Sequence, residues 1–325
     1  MATMLMLGGT GFVGRAIVEE AVGRGWEVTV FHRGRRAVPE GVARVVTGER
    51  DGDLAGLADG EWDTVVDTWS GSPGVVERSA AALKGRVARY AYVSSRSVYA
   101  YPPPLGGTED APLVEPGDGD YAQVKRGAEV ALEEVFGDAA LLIRAGLILG
   151  PYEDIGRLPW WLGRVARGGR VLAPGPRDLP LQLVDVRDLA AWTLDALTAG
   201  LGGPYDIVSE PGHATMGSFL DACAVATGGD AEFVWADPDT ITDAGVQPWM
   251  DLPLWLPPGP EHDGMHGANP AKALRAGLHC RPVTSTVADT WTWLQSIGGT
   301  APQRPDRPPV GLSPDTEARL LTILP

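Results

Sequence analysis

Tyr121 and Lys125 lie four residues apart in the stretch Tyr-Ala-Gln-Val-Lys, a spacing that stacks a phenol and an ammonium on one face of a helix, one turn from each other. A phenol with a pKa near ~10 is a poor base at neutral pH, but a neighbouring ammonium stabilises the phenolate, so the pair suits acid–base work. The spacing alone is common and mostly structural. It gains weight from Val93-Ser94-Ser95-Arg96-Ser97-Val98-Tyr99, which closes a strand expected over residues 89–94. Hydroxyls from this run reach the same sheet edge as the helix, where one can hydrogen-bond a substrate oxygen.

A second chemical group comes first in the chain. Residues 4–14 read Met-Leu-Met-Leu-Gly-Gly-Thr-Gly-Phe-Val-Gly, an apolar run broken by glycines. Gly9, Gly11 and Gly14 satisfy G-x-G-x-x-G; Gly8, Gly11 and Gly14 satisfy the wider G-x-x-G-x-x-G. An amphipathic pattern (Phe12, Val13, Ile17, Val18, Ala21, Val22) follows, completing the strand, turn and helix that this motif requires. Glycine lets the turn adopt positive φ and lets backbone approach a pyrophosphate, whose charge then sits on free N–H groups at a helix N-terminus. Gly8, Thr10, Gly11, Phe12, Val13 and Gly14 are therefore expected to bind a dinucleotide.

The second strand, residues 27–32, runs into Arg33, Gly34, Arg35 and Arg36. Where a dinucleotide fold binds NAD, an acid usually stands here to hold the adenosine ribose hydroxyls, whereas a 2′-phosphate calls for arginine. No acid occupies 31–34, so NADP (NADPH) is the expected cofactor, with Arg33 and Arg36 as contacts and Arg35 as an alternative. A third strand at 44–47 ends in Gly48-Glu49-Arg50, which places Glu49 and Arg50 beside the adenine. A fourth at 64–67 ends in Thr68 and Trp69, at the sheet edge where ligands bind. A helix over 77–83, a Pro/Gly-rich loop over 101–119, a helix from 121 to about 136 and a sixth strand at 140–143 complete the alternation. It predicts an α/β fold, a Rossmann doubly wound parallel sheet.

The second half reads as a smaller, discontinuous C-terminal substrate domain. The expected division is 1–150 for NADP binding, with 179–208 returning to it, and 151–325 mainly for substrate. Thr215 is a plausible cap for a helix to 227, and Ser313-Pro314 for a terminal helix. Residues 298–309 read as a linker. The segment 237–264, proline-rich with Trp249 and Trp255, reads as pocket wall or core, and the same alternatives hold for Trp160 and Trp161. His262 and His266 lie among Gly and Asp without supporting ligands, so they read as a surface loop and no metal is expected.

Composition fits a globular enzyme: 44% of the 325 residues are hydrophobic and 21% charged, and no apolar run approaches the ~18 residues of a membrane span. The two cysteines, Cys223 and Cys280, make neither a metal box nor a disulfide framework, and the N-terminus has no signal-peptide pattern; cytoplasmic localisation is expected. A net charge of −15 opposes general nucleic-acid binding. The expected partner is a small-molecule substrate, not nucleic acid or membrane, and a homodimer is a candidate assembly.

Together these motifs resemble the short-chain dehydrogenase/reductase superfamily, on the extended and atypical branch of the NAD-dependent epimerase/dehydratase family, from residue 4 to about residue 294. The resemblance implies a catalytic set of Ser95, chosen over Ser94 and Ser97 by its spacing to Val98-Tyr99, with Tyr121 and Lys125. It implies Tyr121 as proton donor or acceptor, Lys125 on the nicotinamide ribose and lowering the tyrosine pKa, and Ser95 polarising the carbonyl. Ala145 and Leu147, after the sixth strand, are implied cofactor neighbours.

Departures from the family bear on the substrate. Nucleotide-sugar epimerases commonly carry Arg-Pro-x-Asn after the sixth strand, where this chain has Arg144-Ala145-Gly146-Leu147. Their diphosphate-binding arginine, counted back from Asp188-Leu189-Ala190, falls on Leu181. The Asp-Glu pair of sugar dehydratases is replaced by Arg96-Ser97 after Ser95. The resulting expectation is an NADP-dependent reductase or dehydrogenase acting on a small, largely apolar carbonyl or imine-type substrate. A nucleotide-sugar epimerase and a non-catalytic dinucleotide-binding regulatory or RNA-binding protein are the alternatives.

Overall fold

The computed structural model describes residues 1–52, 54–57, 60–300, 302–304 and 307–324. Residues 301, 305 and 306 of the expected 298–309 linker therefore lie outside the described residues. In the first part of the chain, β1 (Thr3–Leu7), α1 (Phe12–Gly23), β2 (Glu27–His32), β3 (Arg44–Thr47), β4 (Trp62–Asp67), α2 (Pro73–Leu83), β5 (Val87–Ser95), α3 (Tyr121–Phe136) and β6 (Ala140–Ala145) follow one another. Then come β7 (Ile148–Leu149), α4 (Arg157–Ala166), β8 (Gly169–Pro174), β9 (Pro180–Leu181), β10 (Val184–Asp185), α5 (Val186–Thr198) and β11 (Gly203–Ile207). The remainder is β12 (Ala214–Thr215), α6 (Met216–Thr227), β13 (Ala231–Ala236), α7 (Pro238–Asp243), α8 (Pro260–His266), α9 (Ala271–Arg275), α10 (Val283–Ser296) and α11 (Pro314–Ile323).

Seven strands form one sheet in the order β11-β6-β5-β4-β1-β2-β3, and every pair in it is parallel. This is the Rossmann-like α/β fold. The strands read as near-continuous apolar runs because both faces are covered. One face packs against α1 and α5, through Ile17, Val18, Leu189 and Trp192. The other packs against α2 and α3, through Val76, Ala80, Ala128 and Leu132. Chain order reverses between β1 and β4, so a crevice opens there at the carboxyl edge of the sheet. The ends of β1, β4 and β5 and the first turns of α1 and α3 all reach that edge.

A third core cluster lies beyond the sheet and unites Leu147, Trp161, Leu162, Leu172, Leu181, Phe219, Leu254, Trp255 and Leu294 among others. Both predicted caps form: the Thr215 side chain accepts from Ser218 N–H, and that of Ser313 from Thr316 N–H. Trp161 and Trp255 are fully buried and donate to the carbonyls of Pro253 and Gly175, which makes them core. Trp160 and Trp249 are only partly buried against it.

Two expectations are corrected. His262 and His266 sit not in a surface loop but in α8, 5% and 2% exposed. His262 Nε2 lies 2.9 Å from the Pro180 carbonyl, while His266 accepts from Gln182 N–H at Nδ1 and faces the Leu254 carbonyl with Nε2. Their ring nitrogens tie α8 to the backbone of Pro180, Gln182 and Leu254. Burial lowers the His266 pKa to about 4, so it serves as a neutral hydrogen-bonding spacer. The second correction concerns the leucines that suggested an apolar pocket. Leu181 has no exposed surface and pairs with Ala214 across β9 and β12, and Leu147 is 5% exposed in the same core. Both leucines are therefore core residues.

A buried leucine that fills core costs about 2–5 kcal/mol when cut to alanine, through lost transfer energy and the cavity left behind. Leu181→Ala should lower stability by roughly that amount in urea denaturation. A pocket-lining leucine would leave the unfolding midpoint nearly unchanged.

Candidate active site

The turn after β1 has the geometry a pyrophosphate needs. Gly8 and Gly9 take positive φ, +124° and +75°. A Cβ on Gly14 would lie 2.7 Å from the backbone nitrogen of Gly9, so this glycine permits the close approach of α1 to the turn. Gly11 is the N-cap of α1 and no side chain caps it. A Cβ there would meet only Arg36 Nη1, at 3.9 Å. Uncapped N–H groups facing open space beside a cation make a ready anion cradle; the residues therefore fit a dinucleotide.

Around that cradle the predicted contacts divide. Arg33 is exposed, and among the described residues no ion pair engages it. Arg35 pairs with Glu49 at 3.3 Å, both well exposed, and Arg36 reaches Asp154 at 3.0 Å. Arg50 does something other than its sequence position suggests: it is 6% exposed and forks onto Asp67, both N···O distances 2.8 Å. Tyr90 donates to the same carboxylate at 2.7 Å, and Trp69 N–H at 2.9 Å. Burial would raise the Asp67 pKa, but Arg50 and these donors hold it below the usual carboxylate range. Arg50 thus fixes the end of β4, and its guanidinium is not available to the adenine.

Ser95, Tyr121 and Lys125 converge. Ser95 ends β5, and its Oγ accepts from Ser97 N–H at 3.1 Å and lies 3.0 Å from Ser97 Oγ. Tyr121 opens α3, because Asp120 caps the helix in a reciprocal box with Gln123. The Ser95 hydroxyl lies close enough to the phenol to act on its pKa. One turn on, Lys125 is 3% exposed and donates to the carbonyls of Trp69 at 2.7 Å and Val93 at 2.8 Å. Its Nζ lies 4.6 Å from the Tyr92 ring centroid and 5.9 Å from that of Tyr121.

The electrostatics differ from the expectation that Lys125 lowers the tyrosine pKa. Tyr121 retains 42% of its surface, yet desolvation around its hydroxyl raises the phenol pKa. The Ser95 hydroxyl opposes that rise, as do the charges of Arg307, Arg157 and Arg304. Lys125 is not among those cations, because burial drives its own pKa down to about 7. Half of it is therefore uncharged near neutrality.

The sequence did not single out what holds this set in place. Glu129, fully buried on α3, accepts from Ser94 Oγ at 2.7 Å and from Arg144 at 3.0 and 2.9 Å. Arg144 also reaches Tyr99 Oη and the Glu109 carbonyl. Tyr99 donates to Asp206, which also pairs with Arg96, and Arg96 continues to the carbonyls of Gly264 and Met265. Arg96 is thus a buried tie between β5, β11 and α8. Across the cleft, Glu153 accepts from Arg157 N–H and Leu158 N–H at the start of α4, and burial raises its pKa to about 7. Arg157 lies over the Trp249 ring at 5.1 Å, and Arg307 over the Tyr121 ring at 5.8 Å. Ala145 and Leu147 close the floor at the end of β6, both 5% exposed.

Residues 4–68 match the sequence profile of the NAD dependent epimerase/dehydratase family. A comparison with curated proteins finds no match. Among solved structures, the chain is similar to the Bordetella bronchiseptica enzyme WbmH in complex with NAD+, at 20% identity and a TM-score of 0.69, over 92% of this chain and 99% of that one. WbmG of the same organism, in complex with NAD and UDP, matches at 18% identity and TM-score 0.68 over 94% and 99%. A UDP-N-acetylglucosamine 4-epimerase from Bacillus cereus matches at 15% and 0.67 over 89% and 98%. The resemblance seen in the sequence is borne out by the family profile at the glycine turn, and the fold is shared over nearly the whole chain.

The buried lysine gives stability a pH dependence. The unfolded chain holds this proton to about pH 10.5 and the folded chain releases it near 7. Between those values the unfolded state binds more protons, so stability rises with pH and is lost again as pH falls to 7. The stability difference between wild type and Lys125→Met should therefore move in favour of wild type across this window, by at most about 1.4 kcal/mol per pH unit. Paired denaturation curves from pH 6 to 10 that keep a constant difference would contradict this.

Proposed function

We propose that the chain is an oxidoreductase-type enzyme of the short-chain dehydrogenase/reductase kind. It exchanges hydride between a substrate carbon and a nicotinamide dinucleotide while Tyr121 exchanges the proton of the attached oxygen. The observation that carries this reading is the meeting of Ser95, whose hydroxyl acts on the Tyr121 phenol, with Tyr121 and a buried Lys125 at the sheet edge that also presents the glycine cradle. Bound nicotinamide supplies the hydride donor or acceptor. The protein's residues do the rest. Ser95 Oγ orients the substrate oxygen, and Tyr121 Oη gives it a proton in reduction or takes one in oxidation. With its pKa raised, the phenol is protonated near neutrality, the state that reduction uses. Lys125 holds the main chain of Trp69 and Val93 together and would hold the nicotinamide ribose.

NADP is the proposed form, on the strength of Arg33 and Arg36 beside the turn and the lack of an acid at 31–34. WbmH and WbmG are solved in complex with NAD, and an epimerase reading is supported at least as well: there the same residues would oxidise and re-reduce one substrate carbon with no net change in cofactor. The two readings part on stoichiometry, since a dehydrogenase accumulates one reduced cofactor per turnover and an epimerase accumulates none. A non-catalytic dinucleotide-binding role has only the fold behind it, since Ser95, Tyr121 and Lys125 are all present.

Tyr121→Phe removes one hydroxyl from the proton path and little volume. Turnover should fall roughly 10²–10⁴-fold while cofactor affinity stays within about twofold. Retained turnover on a substrate found by screening ketones, aldehydes and imines with NADPH, or UDP-sugars with NAD, would remove Tyr121 from the mechanism. Arg33→Ala should weaken NADPH binding tenfold to a hundredfold, as expected for one charge-assisted contact worth roughly 1.5–3 kcal/mol, and leave NADH unchanged. Equal wild-type affinities for the two cofactors, measured by calorimetry, would assign Arg33 to solvent.

A further inference from the structure

Arg157 is the first residue of α4, and its backbone N–H is spent on Glu153. Its side chain is different. Nε is buried without a hydrogen-bond partner, and among the described residues no carboxylate comes within ion-pair distance of the guanidinium. Among the described residues its ring contact is Trp249, a residue held at φ +66°, in the left-handed region that costs a non-glycine residue energy. The local acid, Glu153, offers incomplete compensation, because its oxygens face the N–H groups of α4 and burial favours its neutral form.

A second cation meets Arg157 from the C-terminal connector. Gln303 lies against Gly156 and Gly311 N–H donates to the Met250 carbonyl, so these described connector residues lie beside the start of α4 and Met250. Arg307, exposed on it, has its guanidinium 5.8 Å from the centroid of the Tyr121 ring. The charges of Arg157, Arg304 and Arg307 all act on the Tyr121 hydroxyl. In a chain of net charge −15, cations gathered on one side of a proton-carrying phenol mark a place for negative charge, since an uncompensated buried cation is costly and a paired one is not.

We infer that the substrate carries an anionic group, a carboxylate or a phosphate, adjacent to its reacting carbon, and that Arg157 and Arg307 bind that group across Tyr121. This rests on the reading of Tyr121 as the proton-carrying residue. Arg157 acts as the fixed half of the site, stacked on Trp249, and Arg307 as the half delivered by the connector. Such a pair also defines orientation: with the anion held on the α4 side, the oxygen on the neighbouring carbon is directed toward Ser95 and Tyr121.

Binding of simple anions tests this without turnover. Inorganic phosphate and malonate are titrated by calorimetry into cofactor-saturated wild type, Arg157→Met and Arg307→Ala, with UDP as a third probe. At least one anion should bind wild type and lose roughly tenfold or more in affinity in each variant, as loss of a charge-assisted contact implies. Tyr121→Phe should bind it as wild type does, so failure of the proton-transfer reading leaves this result intact. Phosphate alone points to a phosphorylated substrate, malonate alone to a carboxylate, and UDP far above phosphate to a diphosphate on the same arginines. Affinities that are the same in wild type and both variants, or no binding of any of the three, would overturn the inference. Arg307→Ala, on an exposed connector residue, keeps the test decisive if Arg157→Met fails to fold.

Discussion

The site depends on one buried carboxylate. Glu129 lies one helical turn beyond Lys125 and two beyond Tyr121, on the face of α3 that meets the sheet, and it has no exposed surface. Desolvating a carboxylate is expensive unless every lone pair finds a donor. Here Ser94 on β5, Arg144 on β6 and Arg126 on the helix itself supply them. Because the penalty for misplacing that carboxylate is large, the rotation and depth of α3 are fixed against two strands at once. Tyr121 and Lys125 inherit that position. Arg144 extends the constraint through Tyr99 to Asp206 on β11, so the floor of the cleft is one hydrogen-bonded unit. Burial would raise the Asp206 pKa, and Arg96 and Tyr99 oppose that rise without cancelling it.

On top of this rigid floor, the charges are arranged to be completed by a ligand. Lys125 is desolvated enough to lose its proton near pH 7, although Asp67 and Glu129 favour its charged form. Its three possible donors meet two carbonyls, which leaves one for a ligand hydroxyl. Hydrogen bonding to the charged form favours charge, so a ribose oxygen there would restore the ammonium. The tyrosine is in a matching state, neutral by desolvation and surrounded by cations that favour phenolate. Lys125 is thus poised near a protonation change, while Tyr121 keeps its proton ready to donate, as general acid catalysis requires.

The sequence made the local parts of this arrangement readable and left the tertiary parts hidden. Glycines at 8, 9, 11 and 14 have one use after a strand, and Tyr121 and Lys125 declare their shared face by spacing alone. The Thr215 and Ser313 caps are equally local, each satisfied by an N–H three residues on. By contrast, His262 and His266 lie in a short helix whose burial comes from contacts with Gln182 and Pro180, some eighty positions away. Leu181 was a leucine in the position of a ligand-binding arginine, and nothing nearby in sequence tells a pocket wall from a core. Glu129 and Arg144 look like ordinary members of an amphipathic helix and a strand. The connector that carries Arg307 has the composition of a linker, and its described residues Gln303 and Gly311 are held against Gly156, Trp160 and Met250.

Net charge is similarly a poor guide to the local field. A chain at −15 repels anions at long range, but that repulsion is screened within about 10 Å at ordinary ionic strength. Inside the cleft the nearest charges decide. There the acids are engaged elsewhere: Asp67 with Arg50, Glu129 with Arg144, Asp206 with Arg96, and Glu153 with the N-terminus of α4. Asp154 pairs with Arg36 at the cofactor turn. Each of these pairings removes a negative charge from the neighbourhood of Tyr121 without removing the arginines that face it. Low-dielectric walls then strengthen what remains. A protein acidic as a whole thereby gathers arginine charge about Tyr121, where the proposed reaction would develop an oxyanion on its substrate.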